Sequence, residues 1–119
     1  MFLASVAGST CLMRGPIGSI LAAPGGKDFL LAILDECAAV ASAEGHPPRA
    51  PSLTRTRGML TAEGSPITAS MFRDIRAGAA VEADHVIGDL LARGDAAKVP
   101  VPKLRTAYTH LKVYEKQRT

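Results

Sequence analysis

Glu82, His85 and Asp89 stand at i, i+3 and i+7, a spacing that sets three metal-capable side chains on one helical face. A single helix offers too few ligands for a closed or catalytic site, and His46 and His110 fall in a loop and a tail. No metal is expected, and the face reads as solvated, with His85, Asp89 and Arg93 pairing along it. Gly25-Gly26-Lys27 lacks both the earlier glycine and the Ser/Thr of a P-loop, and no Gly-x-Gly-x-x-Gly occurs, so it reads as a turn and no nucleotide fold is expected. Scattered histidines and the lack of a Gly-x-Ser-x-Gly elbow leave no hydrolase constellation. Cys11 and Cys37 sit in apolar helical stretches without CxxC or CxxH spacing and read as reduced, structural residues.

Two polar residues are better placed. Ser65 as a cap, with Pro66 at the first helical position, predicts a helix whose first turn holds the amides of Ile67, Thr68 and Ala69. Ser70 follows them, at an end that attracts anions. Glu82 opens the next helix after the short Gly78-Ala79-Ala80-Val81 connection, which predicts that Ser70 and Glu82 line one cleft.

The elements that must carry them are helical. Leu3, Val6, Ala7, Thr10 and Cys11 make a three-four stripe over 2–13, broken by Arg14-Gly15-Pro16, and the abrupt uncapped start is expected of a helix cut from something longer. Lys27 to Glu44 carries the stripe Leu30, Ile33, Leu34, Cys37, Ala38 and Ala41, widened by Leu31 and Val40, and reads as a largely buried central helix closed by Gly45. Ser52 can cap a helix to about Ala62, the Ser65 helix stops at Gly78, Glu82 to Arg93 forms the next, and Pro100 and Pro102 reset the chain for a last helix to about Glu115. No alternating strand and no repeat is found. The fold class is all-α.

With 119 residues, 47% hydrophobic, the chain reads as one domain over 1–119 with a compact core. Twenty alanines and no Trp mean that small side chains must let backbones approach closely, which suits helices. The net charge of +3 is uneven: residues 1–48 hold two basic and four acidic side chains, residues 49–119 twelve and seven. Lys103, Arg105, Lys112, Lys116 and Arg118 spread along the final helix as a solvated face, without the clustering and aromatics of a nucleic-acid surface, so no nucleic-acid partner is expected. The apolar opening 1–13 lacks a basic leader and is too short for a span, so no membrane partner and a cytoplasmic chain are expected.

The stretch Thr68-Ala69-Ser70-Met71-Phe72-Arg73-Asp74-Ile75-Arg76-Ala77-Gly78 holds Ser-Met-x-x-Asp-Ile-x-x-Gly, followed by Glu82 and, six residues later, Gly88. Leu34-x-Glu36-Cys37-x-x-Val40-Ala41-x-x-x-Gly45 precedes it and Val99-Pro100-x-Pro102 with a closing helix follows. In this order and spacing the motifs resemble, over the full length, the C-terminal domain of ketopantoate reductase (2-dehydropantoate 2-reductase), a helical domain of the 6-phosphogluconate-dehydrogenase-like kind.

The resemblance implies an enzyme with an N-terminal Rossmann domain, absent from this chain, that holds NADPH and an all-α C-terminal domain, the 2-keto acid binding between them and hydride reducing its ketone. Ser70 then corresponds to the serine that hydrogen-bonds the substrate carboxylate, and Glu82 to the acidic residue of the catalytic centre. The family's general acid, a lysine that protonates the developing alkoxide, would fall just before Met1, and no lysine precedes Lys27. The family's asparagines one and two turns beyond that lysine are replaced here by Leu3 and Ala7, which puts ketopantoate itself in doubt. The chain alone is expected to bind no NADPH tightly and to be catalytically incomplete, and to form a homodimer through its Ala-rich helices. A non-catalytic self-associating helical module and a weak nucleic-acid binder are the readings it competes with.

Overall fold

A computed structural model describes residues 2–118 of the chain. Among the described residues, seven α-helices and one π-helical turn run in the order α1 (Phe2–Met13), α2 (Ile17–Ala22), α3 (Gly26–Ala43), α4 (Ala50–Leu60), α5 (Ser70–Arg76), the π turn (Asp84–Gly88), α6 (Asp89–Ala96) and α7 (Pro102–Gln117). No strand occurs among the described residues, so the all-α expectation holds. The radius of gyration, 13.7 Å, is that of a packed unit of this length.

The helix surrounded on all sides is α1, not α3 as the apolar stripes suggested. Every residue from Ala4 to Cys11 is buried, against α3, α7, α5, α2 and the π turn. Small side chains permit this: a Cβ at Gly8 would stand 2.9 Å from Ile33 Cδ1. Helix α3 is amphipathic, burying Leu30, Ile33, Leu34, Cys37 and Val40 while its other face meets solvent. It also anchors α7, because the Glu36 carboxylate accepts the Lys103 and Leu104 amides at 3.0 and 2.9 Å, filling two of the acceptor-less positions at that helix start.

Four boundaries differ from expectation, one of them at Glu82, which lies ahead of the helix it was expected to open: the π turn begins at Asp84 and α6 runs on to Ala96 rather than stopping at Arg93. Helix α2, six residues long, is too short to show a period. Helix α4 starts at Ala50 with Pro51 in its first turn, so Ser52 lies inside it rather than capping it. Ser65 caps no helix: its hydroxyl accepts the Ile67 amide at 3.2 Å, residues 65–69 lie outside any helix, and the Ser65 and Ile67 carbonyls accept the Gly18 and Ile17 amides at 2.8 and 3.0 Å. The free donors at the start of α2 recruit this segment, and α5 begins only at Ser70.

Candidate functional site

Ser70 is the first residue of α5, beneath which Met71, Phe72 and Ile75 are buried. The preceding Ala69 amide points at Thr10 Oγ1 of α1, 3.4 Å away, and Thr10 bonds the Val6 carbonyl at 2.7 Å. The anion-attracting first turn expected ahead of Ser70 is therefore not there, since those amides belong to the non-helical segment. Ser70 and Glu82 nevertheless line the same cleft, of about 200 Å³, with Leu3 and Ala7 of α1, Asp74, Met71, Ala80, Val81 and Val86 around them. Asp74 is the lining residue that the sequence reading passed over, although its place one helical turn beyond Ser70 was a usable signal.

Charge in the cleft is one-sided. Asp74 and Glu82 supply carboxylates, no Lys or Arg among the described residues lines it, and the Glu82 side chain is 77% exposed with His85 Nε2 3.9 Å away. Such a rim favours a cation and repels an anion unless a cation is bound beside it. Leu3 and Ala7 make the α1 wall apolar. The position ahead of Met1, where the resemblance puts a lysine, lies outside the described residues.

Glu82 is followed by a π-helical turn, an uncommon backbone form often found near functional sites. Its opening carboxylate, Asp84, accepts Tyr108 Oη at 2.6 Å and Lys112 Nζ at 3.3 Å. These bonds, Tyr108 first, hold the Asp84 carboxyl below its ordinary value and push the Tyr108 hydroxyl up, while Lys112 is pushed up first by Glu115 and then by Asp84. Gly88 admits the tyrosine ring, since a Cβ there would stand 2.9 Å from Tyr108 Cε1.

The other residues singled out in the sequence serve structure. Arg93 pairs with Asp89 at 3.2 Å and with Glu44 at 3.8 Å, and His85 leans toward Glu82 rather than Asp89. Together they rim a second, larger cleft of about 340 Å³ beyond Leu3 and Val86. Among the described residues no three His, Cys, Asp or Glu converge as a metal site. Cys11 and Cys37 are free and buried, and burial pushes the Cys11 thiol up to about 12. His110 lies in α7 rather than a tail; burial, then Arg14, lowers its pKa against a bond to the Cys11 backbone. Among the described residues no helix is long and apolar enough to cross a membrane.

Comparison with known proteins gives this cleft a context. The family model described as ketopantoate reductase PanE/ApbA C terminal matches residues 1–115. The chain is 30% identical over 118 residues to YkpB, an uncharacterized oxidoreductase of Bacillus subtilis (strain 168), across 99% of this chain and 39% of that protein. A PanE/ApbA family ketopantoate reductase from Ralstonia eutropha JMP134 superposes with a TM-score of 0.84 at 24% identity, over 98% of this chain and 39% of that one. A dimeric ketopantoate reductase from Staphylococcus aureus gives 0.82 at 21%, over 99% and 42%. At these identities the two structures speak for the fold, and the chain spans well under half the length of each relative.

Proposed function

The chain belongs to the family of ketopantoate reductase C-terminal domains, and from that premise we propose that residues 1–119 form the substrate-binding half of an NADPH-dependent 2-keto acid reductase of the 2-dehydropantoate 2-reductase type. The observation that carries this reading is the meeting of Ser70 and Glu82 in one cleft from positions on different elements. In it the Ser70 hydroxyl donates to the substrate carboxylate. Glu82, with Asp74 beside it, orients a cation: the ammonium of the family's lysine, whose proton goes to the developing alkoxide. The nucleotide does not fit here, because a cleft lined by two carboxylates, the Ser70 hydroxyl and apolar side chains, with no Lys or Arg among the described residues, offers no cation to a pyrophosphate. Holding NADPH falls to a separate domain. The apolar wall of Leu3 and Ala7 favours a 2-keto acid with an apolar side chain over ketopantoate, whose hydroxyl it would leave without a partner.

The half-site also needs a second copy. Leu3, Met13 and Val113 are exposed large apolar side chains, and a homodimer would cover part of that surface. The two buried thiols fit a reducing setting such as the cytoplasm. Calorimetry on the isolated chain tests the division of labour. No heat of NADPH binding and no keto-acid turnover are expected; micromolar affinity or any turnover would overturn it. Sedimentation at tens of micromolar should show a dimer, and a concentration-independent monomer would remove that part.

A further inference from the structure

The connection that carries Glu82, Gly78 to Glu82, has little packing of its own; Val81 is its one side chain set against the core. Its backbone is fastened instead by the far end of α7. Tyr114 Oη donates to the Ala79 carbonyl at 2.6 Å, Arg118 Nε donates to the Gly78 carbonyl at 2.8 Å, and Glu115 Oε2 accepts the Ala83 amide at 3.1 Å. The other Glu115 oxygen is held by Lys112 Nζ at 2.8 Å, which leaves the carboxylate little freedom. Tyr114 is itself set against the core, so its hydroxyl is a fixed point. None of the three lines the cleft.

The geometry points to Tyr114, Glu115 and Arg118 as positioning residues that set where Glu82 stands relative to Ser70. They act through the backbone on both sides of Glu82, and an error of about 1 Å in such a placement can cost about a hundredfold in rate. This inference rests on the reading of Glu82 given above.

Two measurements separate it from that reading. In the isolated chain, Tyr114→Phe and Glu115→Ala should each raise hydrogen exchange at the Ala79 and Ala83 amides, which bond the Asp74 carbonyl and Glu115, by about tenfold while α1 and α3 keep their protection, with Glu115→Gln close to wild type. Unchanged exchange would overturn the fastening. In the complete NADPH-dependent reductase, Tyr114→Phe and Glu115→Ala should lower kcat by about tenfold with KM for the keto acid within about twofold, and Glu115→Gln should restore most of it. In a Glu82→Gln background the same substitutions should change kcat by less than about twofold, because what they position is gone. Equal losses in both backgrounds would mean a merely structural role and overturn the proposal. Wild-type kinetics for Glu82→Gln itself would instead defeat the functional reading, leaving the exchange result to decide the fastening.

Discussion

The two walls of the cleft are held by different forces. The α1 wall is rooted in the apolar core at Ala7, which is fully enclosed, while Leu3 at its rim stays exposed. The opposite wall, from Gly78 to the π turn, hangs on hydrogen bonds and ion pairs reaching across from α7. A wall packed on all sides cannot shift without opening a cavity, whereas one held by a few polar bonds at the surface can loosen while the fold stays intact. The contrast places adjustability on the side that carries Glu82.

If the comparison holds, damage to the packed side should be global and large. Leu34→Ala, at a fully buried contact of α3, should cost about 2–5 kcal/mol in urea unfolding, with the whole transition shifted to lower urea rather than one region loosened. Glu36→Ala removes the carboxylate from the two α7 amides and should cost about 1–2 kcal/mol in the same assay, because α7 supports both walls. Next comes pH, which should separate the regions. Burial lowers the His110 pKa from its ordinary 6.5, so the unfolded chain takes up the proton first: stability is full above 6.5 and falls below it until the lower folded value is passed. His110→Gln should flatten that slope in thermal melts. Asp84, held below its ordinary 3.8 by Tyr108 and Lys112, contributes stability above 3.8 that is lost as pH falls through its lower folded value. The π turn should therefore loosen only in stronger acid, as read by exchange at 84–88. The smallest effect is expected for Tyr114→Phe, about 0.5–1.5 kcal/mol in global unfolding for one hydrogen bond, with its consequence confined to the Glu82 side.

The same division explains what the sequence revealed. The stripe Leu30, Ile33, Leu34, Cys37 placed α3, and Pro102 placed α7, because apolar period and proline chemistry are local. That Ser70 and Glu82 line one cleft was legible from the short connection between them. The non-helical path of 65–69 was not, since Ser65 and Pro66 carry a local helix-start signal that lost to the donors of α2, some fifty residues away. Nor was the central place of α1, whose Ala, Ser, Gly and Thr give a weak stripe but fit where backbones crowd. The grip of Tyr114, Glu115 and Arg118 on the connection spans more than thirty residues and leaves no periodic trace.

The central claim, that Ser70 and Glu82 divide binding and reaction within one keto-acid cleft, is tested most directly by steady-state kinetics of the complete reductase bearing Ser70→Ala or Glu82→Ala. Ser70→Ala should raise KM for the 2-keto acid about tenfold with kcat little changed, while Glu82→Ala should lower kcat as well, because one group holds the ground state and the other shapes the reacting centre. Wild-type kinetics in both variants would contradict the account.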